Sequence, residues 1–149
     1  MILQKQSGKP DRVIIDKKAL AQIYKEIDAS YPREACGVLF SKEEIRSITG
    51  FSPLENYSGD THSYFQVDPL EMYRLELKTG KTGQIITGFY HSHPDAPAIV
   101  SGEDESFMIP GMVYLIISID EKGIQDVKAW QKQSPDDRAS EIIVVLEED

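Results

Sequence analysis

His91 and His93 stand two residues apart at the end of the apolar run Ile85-Ile86-Thr87-Gly88-Phe89-Tyr90, and Ser101 and Asp104 follow soon after. Written out, the stretch is H-x-H-x(7)-S-x-x-D. Side chains on a strand repeat every second residue, so the two imidazoles face the same side. An aspartate from the next element then supplies a third ligand and leaves one coordination position for water. Three protein ligands plus water is the arrangement of a catalytic zinc centre, whereas structural zinc sites close with four. Water bound at such a centre has a pKa of about 7, which makes hydroxide available at neutral pH. One zinc per chain is expected on His91, His93 and Asp104, and no other cofactor is expected.

Hydrolysis also needs a proton carrier and a donor for the developing oxyanion. Glu34 precedes the apolar run Cys36-Gly37-Val38-Leu39-Phe40, so a rigid strand would fix its position. A glutamate there takes the proton from bound water and delivers it to the leaving amine. Ser101 is the candidate for the oxyanion hydrogen bond. Each part has a plainer explanation as well. Ser101-x-x-Asp104 is the signature of a helix start, with a serine cap and an acid three residues on. A lone strand-end histidine is commonly a hydrogen-bonded core residue, Glu34 beside Arg33 passes for a solvated loop acid, and Cys36 reads as a small buried apolar residue. His62 reads as a surface residue. The conjunction of ligands, base and donor in one short chain tips the balance towards chemistry.

The elements that must position these residues follow from periodicity. Val13-Ile14-Ile15 reads as a strand, and Asp16 caps a helix with apolar residues Leu20, Ile23, Tyr24 and Ile27. Pro32 ends that helix through the residue before it. The Cys36 to Phe40 strand has a hairpin partner around Ile45 to Ile48, and Ser52 to Thr61 reads as a loop. Asp68-Pro69-Leu70-Glu71 opens a second helix with an apolar stripe of Leu70, Tyr73 and Leu77, stopped by Gly80. Ile85 to His91 is the strand that delivers the histidines, and Ser101 to about Met108 is a short helix. Val113 to Ile119 is apolar enough for a central strand covered on both faces. Gln125 to Gln131 and Ile142 to Leu146 complete the strands. The fold class is α/β (α+β), with one mixed sheet and helices packed against it.

With 149 residues, the chain fits one domain over residues 11–149, preceded by a loose leader at residues 1–10. A domain of about 150 residues buries roughly 68–70% of its unfolded surface and needs no disulfide framework. The single cysteine fits a reducing compartment. With no secretory leader and no apolar run of about 18 residues, a soluble cytoplasmic protein is expected. Its net charge of −9 argues against a nucleic-acid partner, which would call for a basic patch.

The sequence resembles the JAMM, or MPN-domain, metalloproteases, in particular their small prokaryotic members. The resemblance rests on Tyr31-Pro32-Arg33-Glu34-Ala35-Cys36-Gly37-Val38-Leu39, the Asn56 loop leading to Phe65-Gln66-Val67-Asp68-Pro69, His91-Ser92-His93-Pro94 and Ser101-Gly102-Glu103-Asp104. It runs from about Val13 to the last strand. It implies a single curved mixed sheet flanked by helices, a cytidine-deaminase-like architecture. By the same resemblance His91, His93 and Asp104 bind zinc, Glu34 is the general acid/base and Ser101 stabilises the oxyanion. The implied partner is a ubiquitin-like or sulfur-carrier protein with a Gly-Gly tail, cut at an amide or isopeptide bond. A chain of this length lacks the extra loops that larger members use to grip two linked ubiquitins.

Two other functions compete with that one. A non-catalytic binding module of the same fold has no physical need for the full ligand set with Glu34 and Ser101. A zinc amidohydrolase of small peptides would use the same residues, and the shape of the groove separates the two.

Overall fold

Asp16 marks the first boundary of the fold. In the computed structural model, which describes residues 12–42, 45–54 and 69–148, strand β1 (Arg12–Asp16) runs directly into helix α1 (Lys17–Ser30). The Asp16 carboxylate accepts the Ala19 N–H at 3.1 Å, a cap that contributes about 1 kcal/mol. Ala19, Leu20, Ile23 and Ile27 form the buried stripe of α1, as their helical spacing predicts. The helix stops at Tyr31, whose ψ of 135° is extended, because Pro32 disfavours the helical conformation for its predecessor.

The remaining elements are β2 (Cys36–Lys42), β3 (Ile45–Leu54), α2 (Pro69–Gly80), β4 (Gln84–Pro94), α3 (Gly102–Phe107), β5 (Val113–Asp120), β6 (Gly123–Gln131) and β7 (Ser140–Glu147). The sheet is mixed and curves until it closes, in the order β1-β3-β2-β4-β5-β6-β7, with β7 pairing back to β1. Strand β1 is parallel to β3 and β7, and β4 is parallel to β5. The other neighbours are antiparallel. Closure leaves little strand edge open to foreign pairing.

Alternation along the strands divides the apolar residues between two faces. One face carries Ile15, Leu39, Tyr90, Leu115 and Ile117, packed with Leu20, Ile23 and Ile27 of α1. The other carries Val38, Phe40, Phe89 and Tyr114 with Met108, against which Met72 and Leu75 of α2 pack. His91 and His93 follow Phe89 at intervals of two, so they belong to this second face. Val113 to Ile119 runs between β4 and β6 and is buried throughout. Two glycines permit close approaches here. A Cβ at Gly37 would collide with the ring of Tyr90, its cross-strand partner. One at Gly88 would collide with the Val113 carbonyl, where β4 meets β5.

Two expectations change. The hairpin partner of β2 does not stop near Ile48 but continues to Leu54, which pairs with Cys36. Ser52-Pro53-Leu54 is therefore strand rather than loop. Pro53 is tolerated because β1 pairs with β3 only at Ser47 and Ile48, so the proline lies where the strand has one neighbour. In α2, Leu70, Tyr73 and Leu77 are 52%, 59% and 52% exposed, and the packed side is Met72, Leu75 and the buried Thr79. Thr79 satisfies its hydroxyl on the Leu75 carbonyl at 2.9 Å, which lets a polar residue occupy the inner side. The leader at residues 1–10, the Asn56 loop, His62 and the Asp68 cap lie outside the described residues. Among the described residues no helix is long and apolar enough to cross a membrane.

Candidate metal centre

Strand β4 carries both histidines to its C-terminal end. Their rings lie side by side, with centroids 4.8 Å apart and planes tilted by 52°, as same-face positions on one strand require. His91 pairs with Ile116 and His93 with Ser118 across the β4–β5 ladder, so the backbone beneath them is held on the buried central strand. His91 is 1% exposed. Burial, and then the neighbouring His93, push its imidazole well below the ordinary value. At neutral pH it is therefore uncharged, the state in which a ring nitrogen has a lone pair for a metal.

After His93 the chain turns sharply, and several of its backbone groups are bonded. Asp95 adopts a positive φ of 56°, a conformation Asp tolerates better than most residues. Its N–H bonds the Ile119 carbonyl at 2.7 Å. Ser118 Oγ donates to Ala96 O at 2.6 Å. His93 Nδ1 lies 2.7 Å from Pro97 O, and a carbonyl can only accept, so Nδ1 carries the proton. The tautomer is thereby set with Nε2 as the lone-pair nitrogen, the arrangement by which metal-binding histidines are commonly oriented.

Asp104 arrives on α3. Ser101 caps this helix, its Oγ accepting the Asp104 N–H at 3.0 Å. The serine is exposed and retains its own hydroxyl proton for donation. Asp104 is 4% exposed. One potential ligand atom each from His91, His93 and Asp104 lies within 4.8 Å of the others. Two imidazoles and a carboxylate, converging at that separation, suit a zinc ion with a position left for water. The donor set fits the metal.

Glu34 enters from the loop before β2. It is half-buried, and its Oε2 is shielded from solvent. The next residue, Ala35, is bonded to Ser92 by both its N–H and its carbonyl, each at 2.9 Å. Glu34 is thereby tied to the strand position between the two histidines. Tyr31 makes a second link across the same gap, its hydroxyl donating to Asp95 Oδ1 at 2.7 Å. Cys36 stands directly across from His91, and burial followed by Glu26, Glu71 and Glu34 pushes its thiol up to about 11. A thiol so reluctant to ionise is a poor ligand or nucleophile.

Ser92, Pro97 and Ser118 escaped the motif reading, although each fixes part of this arrangement. Ser92 had a signal, being the residue between the histidines. Pro97 lies only four residues after His93 but outside the motif, and Ser118 acts on Ala96 through a contact 22 residues apart that local spacing does not encode.

Residues 16–132 match the family described as prokaryotic homologs of the JAB domain. A desampylase from Haloferax volcanii is 36% identical over 90 residues, an alignment that spans 60% of this chain and 65% of that relative. A desampylase from Pyrococcus furiosus is 33% identical over 142 residues, spanning 91% of each chain. In fold, the crystal structure of a JAB1/MPN domain protein from Archaeoglobus fulgidus is similar, with a TM-score of 0.59 at 18% identity over 90% of this chain and 98% of that one. On the strength of the matched residues and the shared fold, this chain belongs to the prokaryotic JAB-domain family.

Proposed function

We propose that the chain is a zinc-dependent peptidase or isopeptidase acting on the C-terminal tail of a ubiquitin-like or sulfur-carrier protein. The observation that carries the proposal is the convergence of His91, His93 and Asp104 within 4.8 Å, with the His93 tautomer set by the Pro97 carbonyl. The kinship with two desampylases supports a hydrolase of this class. The domain would extend over residues 11–149, and the setting would be cytoplasmic.

His91, His93 and Asp104 would hold the ion, which when bound supplies an acidified water and a Lewis acid for the scissile carbonyl. Glu34 accepts the proton of the attacking water and returns it to the leaving nitrogen, acting as base and then as acid. Ala35, bonded to Ser92, keeps Glu34 from drifting away from the histidine strand. The Ser101 hydroxyl donates to the oxygen that gains charge as the carbonyl becomes tetrahedral. Its oxygen accepts the Asp104 N–H, and the hydroxyl proton stays available for donation. A Gly-Gly tail suits the site because glycines let the substrate backbone approach closely.

The deciding experiment offers the zinc-loaded protein a sulfur-carrier protein extended beyond its Gly-Gly terminus, with mass spectrometry of the products. Cleavage after the second glycine, abolished by a chelator, is the expected result. Hydrolysis of free dipeptides with no cleavage of tailed proteins would assign the site to small amides instead.

A further inference from the structure

Trp130 and Gln131, the last residues of β6, and Lys132, the residue that follows it, each send a side-chain donor to one carbonyl in the segment that carries Asp104. Trp130 Nε1 donates to Ala98 O at 3.1 Å, Gln131 Nε2 to Gly111 O at 2.9 Å and Lys132 Nζ to Glu105 O at 2.9 Å. We propose that Trp130, Gln131 and Lys132 are positioning residues that set where Asp104 stands relative to His91 and His93, with Lys132 the principal member. The proposal rests on the metal reading of the site.

Helix α3 has six residues, well below the roughly 12–15 at which a helix becomes even marginally stable alone. Something outside it must hold it. The Ser101 cap cannot do so, because it moves with the helix it caps. The end of β6, in contrast, belongs to the sheet: Trp130 pairs with Tyr114 of β5 and with Glu141 of β7, and Gln131 with Ser140. The histidines stand on β4, which pairs with the same β5. Donors from the end of β6 and the residue directly after it therefore refer the aspartate to the frame that carries the imidazoles.

Lys132 is 4% exposed, an unusual place for an ammonium, whose burial is costly unless it is bonded. Its acceptor does not need it. Glu105 O already receives the Met108 N–H at 3.2 Å, so the lysine does not rescue an orphaned carbonyl. What the bond adds is location. It grips the residue immediately after Asp104 by its main chain, while the Glu105 carboxylate is gripped from the other side by the Ala139 N–H at 2.7 Å and Arg138 Nε at 3.1 Å. The Lys132 carbonyl also accepts the Gly111 N–H at 2.9 Å, which pins the exit of the segment.

Lys132→Met keeps the length of the stem, removes the donor and leaves Glu105 O bonded to Met108. The variant is compared with the wild type for zinc affinity, by competition with a chelating dye, and for the visible absorption of the cobalt-substituted full chain. The expected result is about 10–100-fold weaker zinc binding, with the cobalt band moved towards that of Asp104→Asn. Wild-type affinity and an unchanged band, whatever happens to the melting temperature, would overturn the proposal and leave Lys132 a structural residue. Should Lys132→Met not fold, Trp130→Phe removes a donor while keeping an aromatic ring. It is expected to shift the band and weaken zinc in the same direction, and no shift would overturn the proposal. A wild-type protein that takes up neither ion would instead overturn the metal reading itself.

Discussion

Ala35 and Ser92 exchange two hydrogen bonds where β2 begins beside β4. The Ser92 N–H donates to the Ala35 carbonyl, and the Ala35 N–H donates not to a backbone oxygen but to the Ser92 hydroxyl, both at 2.9 Å. A side chain thus replaces one rung of the ladder next to the Cys36–His91 pair. Ser92 is fully buried. The arrangement couples the loop that bears Glu34 to the strand that bears both histidines.

Ser92→Ala removes the acceptor and leaves the Ala35 N–H buried without its partner, at a cost of about 1–3 kcal/mol. The expected outcome is a lower melting temperature, normal zinc content and turnover reduced by about 10–100-fold, because a base displaced by about 1 Å loses its line to the water. Thermal melts, metal analysis and steady-state rates check each part. Full turnover in a destabilised variant would show that Glu34 does not depend on this bond.

Glu34→Gln tests the proposed proton carrier alone. The amide fills the same space, so the variant should fold and bind zinc as the wild type does, with kcat lower by about 10²–10⁴-fold. A variant within a factor of two of the wild type would remove Glu34 from the chemistry.

Replacing the proposed ligands separates binding from turnover in the other direction. His91→Ala and Asp104→Ala should each reduce zinc from about one ion per chain to a small fraction after dialysis, as expected for an open site that loses one of three protein ligands. Metal analysis decides it. Stoichiometric zinc in either variant would take that residue off the ligand set.

Cys36 offers a readout that needs no metal. Its thiol is raised from an ordinary value of 9.0 to about 11, with burial as the first cause. The fold therefore disfavours the thiolate: the stability this contributes is complete below pH 9.0 and is lost as the pH rises towards about 11. At pH 8 the native protein should hold about 100-fold less thiolate than the unfolded chain and react with iodoacetamide correspondingly more slowly. Equal rates in buffer and in denaturant would contradict a half-buried, protonated thiol.

Much of the fold was legible because its signals are local. Asp16 and Ser101 announce their helices by cap chemistry, Pro32 ends α1 by steric exclusion, and the apolar continuity of Val113 to Ile119 belongs to a strand covered on both sides. The misreadings fall where partners far away in the sequence decide. Ser52-Pro53-Leu54 is turn-like in composition, yet it continues β3 because Cys36, Gly37 and Val38 supply a ladder. Helix α2 has apolar residues on two adjacent sides, and spacing could not tell that Met72 and Leu75 would face the second core while Leu70, Tyr73 and Leu77 would face outward.

The same division runs through the candidate site. The residue types and the intervals between His91, His93, Ser101 and Asp104 define which donors exist and that the two imidazoles share a face, since these follow from the repeat of a strand and the turn of a helix. Where Asp104 comes to rest, which nitrogen of His93 keeps its proton and what holds Glu34 beside the strand were decided by contacts from Pro97, Ser92 and the end of β6. Those contacts join segments up to 57 residues apart, as Ala35 and Ser92 are. Apart from the turn that brings Pro97 to His93, they exist only once the sheet has formed, because a hydrogen bond is fixed by distance and angle in space and not by position along the chain.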